Sequence, residues 1–456
     1  MAIQRSLRRG PRLSRHLAWP AAALAAVLAV SACSSSGGGS GGGSTAPAKS
    51  GVTHLTFWSW VPNIGNAVSL FNKTHKNIQV TLDTIPTGSQ GGYAKMLAAV
   101  KAGNAPCDAQ VEYQELPTFV MQQALVNIKQ YASSSQSLFV PWQWKQGVFN
   151  GGVYAIPQAS GPMGLFYNKK VWSAAGVTSP PKTWIQFAYD AAKIHAKNPK
   201  DYITSFEAAN SAWFTALAWQ LGTNWFGTRG SSWTVNIDNA NSAKAATYWN
   251  ELVKHGLVKT ESSFTSSWYK DLQTGAISSW IGASWGDAII RQNAPHTSGD
   301  WRVAPMPQWS TSGPFASANW GGSSTAVLKG CSDPAAATQF AIWLNSNKQS
   351  MNLLVTDGYG WPAVPDVSGI PAITSNPTVF KFYGGQNINT VFATADQHIN
   401  ESWGWIPNVT DTYNTLNTEF THAAAGNGTF TGALATAQKS TVSQLKSAGL
   451  SVISGG

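Results

Sequence analysis

The sequence predicts an α/β fold of more than one domain, and three observations carry that expectation. From residue 53 to residue 113, short alternating apolar runs take turns with longer runs of helical period. Of the 456 residues, roughly four hundred follow a low-complexity N-terminal stretch, which exceeds one typical domain. No internal repeat is visible, so a solenoid is not indicated.

Residues 53–58, with His54-Leu-Thr-Phe-Trp58, read as a strand, and 66–73 as a helix presenting Val68, Leu70 and Phe71. Residues 78–84 alternate as a second strand. Residues 93–102 form a helix closed by Gly103, and 108–113 a third strand. This βαβ order argues for a mostly parallel sheet. Later helices are expected at 183–196, 212–221, 243–255, 267–273, 334–345 and 416–425. A strand at 276–282 leads to a helix at 287–292. Open α/β sheets bind ligands outside the carboxyl ends of their strands, where Trp58-Ser-Trp60 and Glu112-Tyr-Gln-Glu115 fall.

The N-terminus is read differently. Arg5, Arg8, Arg9, Arg12 and Arg15 precede an apolar run, residues 21–30, that ends in Val30-Ser-Ala-Cys33. A basic start, a short apolar core and small residues before a cleavage point describe a secretory signal peptide, residues 1–32. The run falls far short of the roughly 20 residues that span a bilayer. Val-Ser-Ala-Cys resembles a bacterial lipobox, which makes Cys33 the lipidated first residue of the mature chain. Arg8-Arg9 is followed by Gly10-Pro11, which disfavours twin-arginine export. Residues 33–52, mostly Ser and Gly, have nothing to bury and read as a tether. Its glycines are not a phosphate loop, because no strand precedes them and no Gly-Lys-Ser/Thr follows. The expected location is the extracellular face of the cell membrane, held there by lipid.

The formal charge of +10 falls to about +5 without the five signal arginines, and no Lys/Arg run exists, so nucleic acid is a poor partner. Charged residues make up only 11% of the chain, which fits a polar, uncharged, exported surface. With Cys33 lipidated, Cys107 and Cys331 remain as an even pair in an oxidising compartment. There is no Cys-x-x-Cys and no His-rich cluster, so neither a metal nor another cofactor is implied. The 22 tryptophans exceed what one core usually needs. Indole faces that pack on the C–H face of a pyranose, with N–H left for a hydroxyl, would employ them.

A family resemblance rests on segments in order. Leu55-Thr-Phe-Trp-Ser-Trp60, Ala102-Gly-Asn-Ala-Pro-Cys-Asp108, Val111-Glu-Tyr-Gln-Glu-Leu116 and Gly152-Val-Tyr-Ala-Ile-Pro157 come first. Gly164-Leu-Phe-Tyr-Asn-Lys169, Pro181-Lys-Thr-Trp-Ile-Gln-Phe187 and Trp280-Ile-Gly-Ala-Ser-Trp-Gly286 follow. Val303-Ala-Pro-Met-Pro307 and Gly321-Gly-Ser-Ser-Thr-Ala-Val327 complete the series. Together they resemble the extracellular sugar-binding proteins of ABC importers, the maltose-binding-protein-like class. The cysteines at 107 and 331 depart from that pattern, which commonly has a small or apolar and a polar residue there. The resemblance implies a two-lobed periplasmic-binding-protein-like fold (type II) with a ligand cleft between the lobes. Lobe one would be 53–160 with 320–360, and lobe two 161–319 with 361–456, joined by crossings near 157–164, 309–319 and 359–365. It further implies that 324–328 runs antiparallel beside 109–112, which would bring Cys331 next to Cys107 for a disulfide.

Under this resemblance the chain binds a di- or oligosaccharide and hands it to the membrane subunits of an ABC importer, acting as a monomer and not as an enzyme. Trp285, between the 276–282 strand and the following helix, matches a sugar-stacking tryptophan of the class. Tyr113, Gln114 and Glu115 supply an aromatic, an amide and an acid at a strand end, with alternation sending Tyr113 and Glu115 to one side. Trp60, Asn63, Gln158, Ser160, Asn319, Trp320 and Trp361 fall at strand ends or crossings, and Trp403 and Trp405 in a loop before the last helices. For each of these, packing between lobes competes with sugar contact. Trp142, Trp144, Trp184, Trp249 and Trp343 read as structural.

Two enzyme alternatives compete. Gly282-Ala-Ser284-Trp-Gly286 matches the Gly-x-Ser-x-Gly elbow of α/β-hydrolases, but only His296, His398 and His422 follow and no His-Gly-Gly segment offers oxyanion donors. A glycosidase needs two carboxylates about 5–10 Å apart; Glu112, Glu115, Glu207, Glu261 and Asp287 are available.

Overall fold

The computed structural model describes residues 51–455. The expected signal peptide, Cys33 and the tether up to residue 50 therefore lie outside the described residues. Two α/β lobes share the chain. The first is built on a six-stranded sheet in the order Trp361–Pro362, Ala155–Ser160, Ser323–Val327, Asp108–Glu112, Thr53–Ser59, Ile78–Thr84. Thr53–Ser59 runs parallel to both its neighbours, as helical crossovers require. Ser323–Val327 is antiparallel to Asp108–Glu112 and to Ala155–Ser160, and Trp361–Pro362 is antiparallel to Ala155–Ser160. The expected mostly parallel sheet is thus a mixed one. The reason is topological: Ser323–Val327 arrives from the second lobe, so no βαβ unit dictates its direction.

Alternation sends Leu55 and Phe57 to one face, packed with Val327, Phe340 and Leu344. Ala109, Val111 and Ala326 face the other side, against Met96 and Phe119. A disulfide joins Cys107, just before Asp108–Glu112, to Cys331, just after Ser323–Val327, with their Cα atoms 4.5 Å apart.

The second lobe holds an antiparallel sheet of Ser279–Ala283, Met163–Asn168 and Trp301–Pro305, with Ile281 opposite Leu165 and Val303 opposite Phe166. Around it lies the larger core, and most of the tryptophans go there. Trp172, Trp184, Trp213, Trp219, Trp225, Trp249, Trp268, Trp280, Trp301 and Trp403 are among the largest fully buried side chains. The expectation that tryptophan excess marks a sugar platform is corrected: most of it is structural. Burial is possible because most of these N–H groups find acceptors: Trp172 donates to Ser278 Oγ, Trp184 to Gln220 Oε1 and Trp213 to Ile281 O.

Two helices close this lobe. Val409–Ala424 begins earlier than the expected 416–425 because its buried stripe includes Thr412, whose hydroxyl is satisfied by Thr441. Phe430–Ser447, absent from the sequence reading, is capped by Thr429, whose hydroxyl accepts from Gly432 N. Its buried stripe of Phe430, Ala433, Leu434, Ala437, Gln438, Thr441 and Leu445 recurs at helical spacing but is diluted along its length by alanines and by the polar Gln438 and Thr441. Among the described residues, no helix is long and apolar enough to cross a membrane.

Candidate functional site

The chain passes between the lobes at Ser160–Met163, around Ala318–Trp320 and near Trp361, and these passages lie side by side. Met163 N donates to Ala318 O, Trp320 N to Gly161 O, and Gly161 N to Asn319 Oδ1 at 2.7 Å. Trp361 pairs with Ser160. Close approach demands glycine here: a Cβ on Gly161 would stand 2.0 Å from Trp320 O and 3.0 Å from Trp285 Nε1.

Trp285 sits over this junction. It caps the helix Gly286–Asn293 after the strand Ser279–Ala283, stays half-buried, and donates from Nε1 to Trp320 O at 3.1 Å. Its ring stands edge-on to Trp320 at 4.9 Å and to Trp280 at 5.8 Å. On the far side of the Gly321-Gly322 step lies Tyr113. Tyr113 N donates to Gly322 O, and a Cβ on Gly322 (φ +106°) would come within 2.8 Å of the Tyr113 ring. A Cβ on Gly321 would lie 3.7 Å from Trp285 Nε1. Two glycines therefore separate the residues expected from opposite lobes.

The 113–115 stretch is not a strand end. Tyr113–Glu115 is a 3-10 turn after the strand Asp108–Glu112, so the strand alternation expected there does not apply. Tyr113 is buried and donates to Gln143 Oε1; Glu115 is buried and accepts from Thr410 of the second lobe. Gln114 is partly exposed, and its amide reaches Glu112 Oε2 at 3.4 Å. Glu112 also accepts from the Tyr93 hydroxyl, and Tyr93 meets Trp60 edge-on at 5.9 Å. Burial pushes the Glu112 carboxyl up to about 7, the Tyr93 bond pulls it down and Glu115 raises it again. Burial likewise raises Glu115.

Further contacts tie the lobes together. Ser160 Oγ donates to Asp396 Oδ1 at 2.9 Å, and burial lifts Asp396 to about 6. Gln146 Nε2 donates to Trp403 O, and Asn408 N to Thr118 Oγ1. Trp142 stands edge-on to Tyr113 and to Trp219, and Trp219 stacks on Trp403 at 4.6 Å. Trp405, half-buried, packs against the cores of both lobes. Within this seam Gln143 Nε2, both polar atoms of Gln158 and Trp403 Nε1 are buried without a hydrogen-bond partner.

The expected residues thus divide. Trp285, Ser160, Asn319, Trp320 and Trp361 meet at the passages, with Tyr113 alongside. Trp320 at 5% exposure, Trp361 at 4% and Trp403 at 2% offer almost no surface to solvent. Asn63 is exposed, in left-handed backbone at φ 58°, with its amide on Asp357 Oδ1. The sequence reading did not single out Tyr93 or Gln143, nor Phe264, a ring 41% exposed at 6.1 Å from Trp285. The last had a signal: a single aromatic inside the polar run Ser262-Ser-Phe-Thr-Ser-Ser267.

The α/β-hydrolase alternative lacks its parts. Ser284 Oγ carries no hydrogen bond, so no histidine is paired with it, while His398 is held by Thr394 O and packs on Phe315. Glu207 is fully buried and already accepts three hydrogen bonds. Among the described residues, no group of three or more His, Cys, Asp or Glu is arranged to hold a metal.

Two α/β lobes, a three-stranded passage between them and an aromatic and amide seam at that passage define a two-lobed binding protein of the type II periplasmic class. The chain belongs to the family of bacterial extracellular solute-binding proteins, whose profile matches residues 57–351. It is a solute-binding protein and not an enzyme. It is 23% identical over 375 residues to the arabinooligosaccharide-binding protein of Halalkalibacterium halodurans, covering 77% of this chain and 80% of that one. The ABC-transporter-associated binding protein of B. animalis subsp. lactis Bl-04, solved with β-1,6-galactobiose, superimposes with a TM-score of 0.78 at 28% identity, covering 88% and 99% of the two chains. The galacto-N-biose/lacto-N-biose I-binding protein of Bifidobacterium longum, solved with lacto-N-biose, gives 0.80 at 26% identity, covering 89% and 100%.

Proposed function

We propose that this protein binds a di- or oligosaccharide outside the membrane and delivers it to an ABC sugar importer by closing its cleft. The observation that carries this reading is the meeting of Trp285 and Tyr113 across Gly321-Gly322, one from each lobe, at the junction of the passages. A ring stacked on Trp285, with hydroxyls directed to Glu112, Gln114 and the unpartnered Gln158 amide, would use groups of both lobes at once. The ligands of the B. animalis and B. longum proteins, and the name of the H. halodurans one, support a glycan of at least two rings.

Closure follows from differential affinity. Ser160–Asp396, Thr410–Glu115 and Asn408–Thr118 exist only while the lobes are together, and a sugar bridging the lobes adds to them. The proposed lobes are 53–160 with 320–360, and 161–319 with 361–456. Trp60, Trp285 and Trp405 are the proposed stacking surfaces, and Asn63 lies at the margin. The mature chain is proposed to be a monomer, lipidated on Cys33 after removal of residues 1–32 and tethered by 33–52.

The test is thermal unfolding of residues 51–456 with β-1,6-galactobiose, lacto-N-biose and arabinotriose. A ligand at 100 times its Kd adds about 2.7 kcal/mol, a rise of several degrees. No rise with any of these or with a broad panel of oligosaccharides removes the proposal.

A further inference from the structure

Behind the Trp285 face lies a carboxylate that the binding reading leaves without a role. Glu207 is 0% exposed, yet it is not an idle charge in the core. Its Oε1 accepts from Trp280 Nε1 at 2.9 Å, and its Oε2 accepts from Ser263 Oγ at 2.5 Å and Asn210 Nδ2 at 2.7 Å. Three donors on three separate segments converge on one side chain. Burial raises this carboxyl to about 7 against the opposing pull of hydrogen bonds from Ser263, Trp280 and Asn210.

Ser263 is the residue before Phe264, and Phe264 is doubly anomalous. Its backbone lies at φ 70°, a region that favours glycine and is rarely held by a bulky side chain. Its ring is 41% exposed, one of the few large apolar side chains left open to solvent. Strain combined with exposure is the pattern of a site residue held in place by its surroundings. The ring stands 6.1 Å from both Trp285 and Trp320, tilted by 44° and 36°, and 5.9 Å from Trp280. Trp280, pinned by Glu207 at its indole nitrogen, is therefore the common floor beneath Phe264 and Trp285.

We propose that Glu207 is a positioning residue that clamps Ser263 and Trp280 so that Phe264 forms a second, tilted aromatic wall beside Trp285. The two walls select glycans that carry a further ring next to the one stacked on Trp285. This assignment rests on the carbohydrate-binding reading above. Glu207 itself touches no ligand; it acts through Phe264.

The experiment compares Glu207→Leu, Glu207→Gln, Phe264→Ala and the double variant Glu207→Leu/Phe264→Ala. It measures calorimetric affinity for β-1,6-galactobiose and arabinotriose, and amide exchange. Leucine fills the space but leaves three donors unpaired. Glutamine accepts from Trp280 through its carbonyl while its amide faces Ser263 Oγ. Expected are a loss of at least tenfold for Glu207→Leu, rescue to within threefold by Glu207→Gln, and no further loss when Glu207→Leu is added to Phe264→Ala. Amides of residues 262–266 should exchange at least tenfold faster in Glu207→Leu, with Ser279–Ala283 unchanged. Should Glu207→Leu not fold, Ser263→Ala removes the same tie and should speed exchange in that loop. A loss that persists undiminished in the Phe264→Ala background, or an unchanged loop, overturns the assignment. If the native protein binds neither these sugars nor any of a broad panel of oligosaccharides, the carbohydrate reading falls, and the exchange rates alone decide whether the clamp exists.

Discussion

Replacing Trp285 separates the two jobs that its indole performs. The ring is half-buried among Trp280, Trp320 and Phe264, while its nitrogen holds Trp320 O at 3.1 Å. Deleting the ring removes a stacking surface, worth about 2 kcal/mol or more for an aromatic anchor. Since 1.4 kcal/mol is tenfold, Trp285→Ala should weaken sugar binding by roughly 30-fold. Trp285→Phe keeps a flat face and loses the bond to Trp320 O, a net effect of about 1 kcal/mol or roughly fivefold. The assay is isothermal titration with β-1,6-galactobiose and lacto-N-biose, beside circular dichroism to show that each variant is folded. An affinity for Trp285→Ala within threefold of the native protein, for a sugar the native protein binds, refutes the stacking role. A loss in Trp285→Phe as large as in Trp285→Ala shows that the bond at the passage matters and the face does not.

Three further outcomes are expected. The Cys107–Cys331 disulfide closes a separation of 224 residues, so Cys107→Ala/Cys331→Ala should lose about 2–5 kcal/mol in urea unfolding; equal midpoints with and without reductant would contradict it. Burial raises Glu112 and Glu207 from 4.5 to about 7 and Asp396 from 3.8 to about 6, so the folded state holds more protons than the unfolded chain between those values. Their contribution to stability is therefore complete below about pH 4 and lost as pH rises to about 7, and Tm should be higher at pH 5.5 than at pH 8; the reverse order refutes the sign. Asp108 is fully buried with both carboxylate oxygens unpartnered, beside Phe57 and Val327 in the sheet. Asp108→Leu should raise stability at pH 8 by about 1–4 kcal/mol, and a lower urea midpoint would show a hidden partner.

Much of the fold was legible because its signals are local. The strand at 78–84 and helices such as Trp184–Lys197 and Ala240–Lys254 follow from period and caps; Thr183 and Asn239 supply side-chain caps at the two helix starts. The direction of Ser323–Val327 was legible only through the family resemblance, since its partners lie more than 150 residues away in sequence. The helix Phe430–Ser447 escaped notice because its buried face mixes Gln438 and Thr441 with alanines, and those polar groups are satisfied by tertiary partners. The site divides in the same way. Trp285 was visible by its place between strand and helix. Tyr93 and Phe264 were not singled out, because their meaning depends on what faces them.

The sequence by itself determined the alternation of elements, the exported composition and the order of segments that marks the family, all of which are read along the chain. Tertiary structure alone decided which tryptophans are core and which remain open at the seam, and that Tyr113 and Trp285 meet across two glycines. Burial, pairing direction and convergence are properties of chain segments that meet only once the protein has folded. A residue's type records what it is able to do, and its neighbours decide which of those things it does.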